Sequence, residues 1–249
     1  MLMPAMKLIR VVMAGAIVAL LGMDGSLLAK TIRFSGYDWS IRPSGFGGPG
    51  PNNWDEDNVW VEGDGSLHLR LSRRNDKWYG AEVLTKDRLG FGRYQFHLLG
   101  RVDALDPNVV VGLFNYPTAD VGPDGTNEID IEFARWGSPE KPAGNFSVAP
   151  SRTGLKGTTK GFPISLQGND STHEFTWTTT GVRFQSFQGP ADGNRSQISS
   201  WLFQASDSAS YVPQKPMPVH INLWCFRGQP PKNGQPVELV VRSFTFDPR

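Results

Sequence analysis

Cysteine is almost absent from this sequence, since Cys225 is the only one among 249 residues. A single cysteine cannot form a disulfide within the chain, so the fold has to be stabilised by its core. Cys225 itself lies in the apolar stretch from Ile221 to Phe226. We therefore predict a small buried hydrophobic residue at this position and not a reactive thiol.

An excess of charge of either sign is lacking as well. The 25 lysine and arginine residues are balanced by 24 aspartate and glutamate residues, and no basic run is interleaved with aromatic residues. Nucleic acids and acidic membrane surfaces attract proteins that carry clustered positive charge. The composition therefore argues against both kinds of partner.

Long hydrophobic runs are missing beyond the first thirty residues. Lys7 and Arg10 precede the apolar run Val11–Leu21, and small residues follow it. A positive start, an apolar middle and small residues at the exit are typical of a secretory signal peptide. The run is shorter than the about 20 apolar residues that cross a bilayer, which argues against the alternative, an uncleaved anchor. We predict a signal peptide over residues 1–29 and a mature protein, extracellular or periplasmic, over residues 30–249.

Helical periodicity is also missing after the predicted signal peptide, where apolar and polar residues alternate with a period of two. Such alternation is typical of β-strands with one buried face, and many strands without helices must pack as a sandwich or a barrel. Two stretches rich in Gly and Pro, Arg42–Asn53 and Gln229–Pro236, are interpreted as surface loops and not as linkers, so a single all-β domain is predicted. The alternation is clearest at Leu67–Leu71, Tyr94–Leu98, Phe175–Trp177, Val182–Phe184 and Val237–Phe246.

The most informative segment runs from Asn127 to Phe133. On a strand, Glu128, Asp130 and Glu132 face one side while apolar side chains face the other. Three carboxylates in a row repel one another and raise each other's pKa, a cost that an ordinary solvated strand avoids with Lys, Thr or Ser. The pattern therefore indicates that the repulsion has a function.

The spacing of the two glutamates fits acid–base chemistry on a glycosidic bond. Residues four apart on a strand have backbones about 13 Å apart, at about 3.3 Å per residue. Leaning together, the carboxyls of Glu128 and Glu132 reach the separation of about 5–5.5 Å that retaining glycosidases use. One attacks the anomeric carbon and the other protonates the leaving oxygen, while Asp130 tunes their protonation. A calcium site or a solvent-facing strand is the alternative, although calcium ligands usually come from loops with turn glycines.

A second polar face is predicted near the C terminus. On an extended strand, His220, Asn222 and Trp224 share one side, opposite the apolar residues between them. A Trp ring stacks on the C–H faces of a pyranose while an amide binds hydroxyl groups, so this face suits a sugar.

Several segments match one known family in order and spacing: Asn58–Val59, Gly65–Leu69, Gly80–Glu82, Phe91–Phe96, Phe114–Pro117, His173–Trp177 and Asn222–Trp224. Together with the Glu-x-Asp-x-Glu strand, they make the sequence resemble glycoside hydrolase family 16, in the lichenase-like branch that has no bulge in this strand. The resemblance implies a jelly-roll sandwich of two antiparallel sheets with a concave substrate cleft. It implies that Glu128 is the nucleophile, Asp130 its assisting carboxylate and Glu132 the acid/base. The positions that match the lining of the family's cleft are Glu82, Tyr116, Asn222 and Trp224.

The resemblance is incomplete around the cleft. Thr126 stands where the family often has a Trp, and Phe146–Ala149 replaces a segment that carries substrate-binding aromatics in lichenases. Arg242 stands in place of an acidic residue tied to a structural calcium, so no metal site is predicted. Trp136, just after the carboxylate strand, is a further candidate for sugar binding that packing would explain equally well.

These departures leave the polymer open. A β-1,3-1,4-glucan or a related β-glucan is the first prediction, while a β-1,3-glucan, a galactan or transglycosylation would use the same chemistry. A carbohydrate-binding sandwich without turnover is the alternative of another class, because fold alone does not decide function. We expect a monomer without a cofactor, with the polysaccharide as its partner.

Overall fold

The computed structural model describes residues 29–249, so residues 1–28 of the predicted signal peptide lie outside it. The described chain contains seventeen β-strands, one four-residue α-helix, α1 (Ser208–Tyr211), and three short 3-10 turns. The strands are β1 (Thr31–Phe34), β2 (Tyr37–Ile41), β3 (Gly45–Gly47), β4 (Asn52–Trp54), β5 (Val59–Val61), β6 (Leu67–Arg74), β7 (Lys77–Thr85), β8 (Gly92–Leu99), β9 (Val109–Asn115), β10 (Glu128–Ala134), β11 (Gly144–Ala149), β12 (Thr158–Phe162), β13 (Asp170–Trp177), β14 (Gly181–Gln188), β15 (Ser196–Gln204), β16 (Val219–Cys225) and β17 (Val237–Pro248).

Fifteen of the strands form two antiparallel sheets that face each other, while β3 pairs with β4, and β4 pairs in parallel with the start of β7. The front sheet has the order β1-β2-β7-β16-β9-β10-β11-β12. The back sheet has the order β5-β6-β17-β8-β13-β14-β15. The β6–β7 hairpin joins them. At the end of β6 and the start of β7, Ser72 lies opposite Tyr79, and Arg74 lies opposite Lys77. The predicted all-β sandwich is confirmed.

The core lies between the two sheets and follows the predicted alternation. Ile129, Ile131 and Phe133 of β10 are fully buried on its inner side. Aromatic contacts connect the sheets: the Phe146 and Phe184 rings are stacked with centroids 5.0 Å apart. Each such buried side chain contributes about 1.5–3 kcal/mol, which is how a chain without disulfides is stabilised.

One of the two predicted loops has more structure than expected. The segment Arg42–Asn53 includes β3 and the start of β4, so its interpretation as a loop is wrong for these residues. The physical reason is Trp54, whose ring is buried and whose indole Nε1 donates to the carbonyl oxygen of Gly47 at 3.1 Å. Gln229–Pro236 contains no strand, as predicted.

Two other residues from the sequence analysis have clear environments. Cys225 is buried, and burial raises the pKa of its thiol to about 12, as expected for an inert cysteine. The Arg242 guanidinium donates to Asp64 Oδ2 at 2.7 Å on the surface of the back sheet. Among residues 29–249 no helix has the length and hydropathy that crossing a membrane requires.

Candidate active site

The three carboxylates lie on the outer face of the front sheet, on a strand that is paired on both sides. Asp130 lies opposite Phe114 of β9 and Ser147 of β11 in the strand register. Glu128 and Glu132 are half-buried and Asp130 is buried. The strand thus presents the carboxylates together, as the sequence predicted, at a site partly shielded from water.

Burial is the main cause of the unusual protonation of this group. It raises the pKa of Glu128, of Asp130 and of Glu132, and the negative charges of the two glutamates raise the pKa of Asp130 further. The contact between Glu128 and Asp130 acts in opposite directions on the two residues. It raises the pKa of Asp130 further and partly offsets the effect of burial on Glu128, whose pKa is raised to about 7.

A fourth carboxylate near the site was missed by the sequence analysis. Asp124 is exposed on the turn before β10, and its negative charge adds to burial, the main cause, in raising the pKa of Glu128 and of Tyr116. The Tyr116 hydroxyl is buried without a hydrogen-bond partner among the described residues. The turn sequence Gly122–Gly125 could have indicated this residue, because it places an aspartate four residues before the first glutamate.

A glycine brings the predicted sugar-binding amide close to the carboxylates. Gly112 of β9 lies between Glu132 and Asn222 in the strand register. A Cβ atom at Gly112 would lie 2.6 Å from the Asn222 side-chain oxygen, so no other residue fits there without a shift. That oxygen is buried without a partner in the described part of the chain. An unsatisfied buried acceptor is costly, and a sugar hydroxyl donating to it would remove the cost.

The aromatic residues form a cluster beyond the Glu132 end of β10. Trp54 and Trp224 are buried at its base, and Trp136 and Phe226 pack over them with their rings 5.5 Å apart. Trp224 is only 8% exposed. The accessible aromatic surface therefore belongs mainly to Trp136 and to Phe226, which the sequence analysis did not single out.

Both ends of β10 are set by residues in the left-handed region. Asn127 has φ of 52° and Trp136 has φ of 51°. The Asn127 side chain donates to Thr126 Oγ1 at 3.0 Å and to the Ser151 carbonyl at 3.3 Å. Trp136 Nε1 donates to Asn145 Oδ1 at 3.3 Å. Such backbone is uncommon for Asn and rare for a bulky side chain, and it often marks a functional site.

The remaining predicted residues, Glu82 and His220, belong to one hydrogen-bonded group. His220 Nδ1 is 2.8 Å from Glu82 Oε1, and Arg42 Nη1 donates to Glu82 Oε2 at 2.7 Å. Burial by itself would raise the pKa of Glu82, but its interactions with His220 and with Arg42 outweigh burial and lower it. Arg42 was not predicted. Within residues 29–249, no cluster of three or more His, Cys, Asp or Glu side chains is arranged to hold a metal ion.

Known structures with this fold include glucanases. A β-glucanase of Bacillus licheniformis has a TM-score of 0.63 and 20% identity, covering 85% of this chain and 92% of its own. A β-1,3-1,4-glucanase (lichenase) from a mouse hindgut metagenome has a TM-score of 0.60 and 21% identity, covering 85% of this chain and 93% of its own. An immunostimulatory antigen and pseudo β-1,3-glucanase of Mycobacterium tuberculosis has a TM-score of 0.59 and 24% identity, covering 82% of this chain and 88% of its own. No family model and no curated protein matches the sequence.

These likenesses, at 20–24% identity, concern the fold. They confirm the jelly-roll architecture that the sequence resemblance implied. One of the three proteins is described as a pseudo-enzyme, so the same fold occurs with and without that activity. The chain has the jelly-roll fold of the β-glucanases, and its function has to be argued from its own carboxylates.

Proposed function

We propose that this protein is a secreted retaining endo-glycosidase that hydrolyses internal β-glycosidic bonds of a polysaccharide, most simply a β-1,3-1,4-glucan or a related β-glucan. The observation that carries the proposal is the carboxylate group on β10. Three carboxyls share one face of a strand that is paired on both sides, and burial raises the pKa of all three, which supports a group that keeps one carboxyl protonated near neutral pH, as the reaction needs.

The proposed chemistry starts with Glu128 ionised and Glu132 protonated. Glu128 attacks the anomeric carbon, the bond to the leaving sugar breaks, and Glu132 gives its proton to the leaving oxygen. The product is a glycosyl ester on Glu128. Glu132, now ionised, takes a proton from a water molecule that attacks the same carbon and releases Glu128. Asp130 donates a hydrogen bond to Glu128 before the attack and after the release.

The substrate would lie across the outer face of the front sheet. The partnerless oxygen of Asn222 and the hydroxyl of Tyr116 would bind sugar hydroxyls, while Trp136, with Trp224 beneath it, would contact a sugar ring. An ionised Glu128 and the exposed Asp124 give this face negative charge, which favours a neutral polymer over a sulfated or uronic one. The names of two fold neighbours, a β-glucanase and a lichenase, support a β-glucan.

The proposal includes the location of the protein. The sequence pattern of residues 1–29 supports export followed by cleavage, leaving a catalytic domain over residues 30–249. The substrate of an endo-glycanase is a polymer outside the cell, so the proposed export and the proposed activity agree.

The test is release of reducing ends by the protein from residue 30 onward, on mixed-linkage glucan, laminarin and galactan. Glu128→Gln is the matched control, since it keeps the size of the side chain and removes the nucleophile. We expect release from one polymer by the wild type and a loss of at least about 10³-fold in the variant. The first product, followed by proton NMR, should carry the β configuration. Equal release by a correctly folded Glu128→Gln would refute the assignment.

A carbohydrate-binding sandwich without turnover is the second candidate. It is favoured by the pseudo-enzyme among the fold neighbours and by Thr126, which replaces an aromatic residue next to the site. Binding to a glucan immobilised in a native gel, without release of reducing ends from any polymer, would support it.

A further inference from the structure

The Glu82 carboxylate, predicted to line the cleft, is fully engaged by the protein. Each of its oxygens accepts a hydrogen bond, one from His220 Nδ1 at 2.8 Å and one from Arg42 Nη1 at 2.7 Å. Its side chain is only 9% exposed. Both oxygens are therefore already bonded within the protein, and neither needs a sugar hydroxyl as a partner.

Arg42 is also held in place by contacts other than its bond to the Glu82 carboxylate. Its guanidinium carbon lies 3.9 Å from the centre of the Trp54 ring, and its backbone N–H donates to the Glu82 carbonyl oxygen at 2.9 Å. The carboxylate is thus held from the side by a cation that cannot lose its proton. An ionised Glu82 can only accept hydrogen bonds, so the proton between it and His220 is on Nδ1.

The His220 ring is fixed on its other sides as well. It stacks on Phe114, with centroids 5.0 Å apart and planes at 29°, and meets the Tyr116 ring edge-on at 5.9 Å. With Nδ1 bonded to Glu82, Nε2 is the ring nitrogen left to bond a ligand, as an acceptor when it carries no proton. Nε2 forms no hydrogen bond with any group in residues 29–249, and the side chain is 12% exposed.

The position of His220 relative to the carboxylates indicates binding and not acid–base work. Asp130, Phe114 and His220 are successive partners across β10, β9 and β16. Two strand spacings of about 4.8 Å put the His220 backbone about 10 Å from that of Asp130. The imidazole therefore lies beside the bond to be cleaved and not at it.

We propose that His220 Nε2 accepts a hydrogen bond from an unsubstituted sugar hydroxyl, and that Glu82 and Arg42 are positioning residues that fix the Nδ1–H form of its ring. This inference rests on the proposed function, and it replaces the direct sugar contact predicted for Glu82. A polymer that is methylated or sulfated at that hydroxyl is excluded by the same contact.

The first experiment is nitrogen-15 NMR of the histidine rings in the Glu128→Gln protein, which cannot turn substrate over. The chain has four histidines, so the His220 signals are assigned by their loss in His220→Gln. We expect the Nδ1–H form at neutral pH, and a shift of the Nε2 signal on saturation with oligosaccharides from mixed-linkage glucan, laminarin or galactan. Oligosaccharide binding that leaves Nε2 unmoved overturns this inference alone. If no oligosaccharide binds and no polymer is cleaved, the proposed function fails with it.

The second experiment separates KM from kcat in Glu82→Gln. Loss of the charge that fixes the ring should raise KM about tenfold, the equivalent of one charge-assisted hydrogen bond, and should leave kcat within about twofold. The back sheet supplies a matched control, because Glu238 bonds His68 Nδ1 at 2.8 Å and Arg70 at 3.1 Å in a similar arrangement. Glu238→Gln should change neither constant. An unchanged KM in Glu82→Gln contradicts the inference, and if that variant does not fold, the NMR titration decides.

Discussion

Asp130 is the most deeply buried of the three carboxyls on β10. It is 5% exposed, and burial together with the charges of Glu128 and Glu132 raises its pKa well above the ordinary value for an aspartate. A carboxyl whose pKa is raised by folding binds its proton more tightly in the folded state than in the unfolded state. Its effect is to destabilise the fold as the pH rises through the interval between the two pKa values.

Asp130→Asn should therefore make the protein more stable at pH 8 and change its stability much less at pH 4, where roughly half of the unfolded chains also carry a protonated carboxyl. The gain should appear as a rise of a few degrees in Tm, at about 2–4 °C per kcal/mol for a chain of this length. Thermal unfolding at the two pH values measures it. Asp192→Asn, at an exposed turn position, is the control and should show no such difference. A Tm that falls at pH 8 in Asp130→Asn would show that the carboxylate stabilises the fold.

At the scale of elements, β10 combines a strand of regular alternation with two unusual ends. Trp136, just beyond the C-terminal end of β10, has a left-handed backbone. This conformation costs a bulky residue about 1–3 kcal/mol and persists only where the surrounding residues hold it. Asn145 binds its indole nitrogen and Phe226 contacts its ring edge-on. This arrangement holds an aromatic ring near the end of the strand that carries Glu132, the proposed acid/base.

Trp136→Ala should raise KM for the polymer roughly two- to tenfold, the range expected for losing one aromatic contact of about 0.5–1.5 kcal/mol, with kcat little changed. Initial rates over a range of polymer concentrations give both constants. Trp60→Ala removes a half-buried Trp that stacks on His68 in the back sheet and should leave KM unchanged. Equal constants for Trp136→Ala and the wild type would mean that the ring serves packing alone.

Strand β10 also shows which features of the site could be predicted from the sequence and which could not. The alternation of apolar and acidic residues in β10 is local, so the strand, its buried face and its row of carboxylates were all predictable. Arg42 and Glu82 are 40 residues apart, and Glu82 and His220 are 138 apart. Their meeting depends on the register of β7 against β16 and on where β2 ends, which no local pattern contains. Phe226 was missed for the same reason, since its partner Trp136 follows a different strand.

At the scale of the whole molecule, the back sheet supports the site through one buried histidine. His173 lies between the sheets, with Nδ1 at 3.0 Å from Ser186 Oγ and Nε2 at 2.9 Å from Ser171 Oγ. Its ring is 4.6 Å from that of Phe133, on the inner face of the carboxylate strand. Burial, with a smaller effect of His97, lowers the pKa of His173 to about 3.

A histidine whose pKa is lowered by folding stabilises the folded state above its ordinary pKa, and this contribution is lost as the pH falls toward the lowered value. We therefore expect His173 to make the fold less stable at pH 4 than at pH 7. The carboxylates change stability in the opposite direction, so the comparison has to be with His173→Gln, which stays neutral. The stability advantage of the wild type over this variant, measured by urea unfolding, should shrink or reverse at pH 4. An advantage that stays constant with pH would contradict this role.

The pairing of β10 on both sides also limits how the gene can change in length. A residue inserted between Glu128 and Glu132 would turn one of them toward the core, or would force a bulge in a strand held by β9 and β11. Insertions in the turn before Asn127 or in the segment between β10 and β11 disturb no ladder. Homologous genes should therefore differ in length at these two borders, where each change alters the rim of the cleft and leaves its chemistry in place. New substrate preferences can thus arise in this fold by lengthening or shortening its loops.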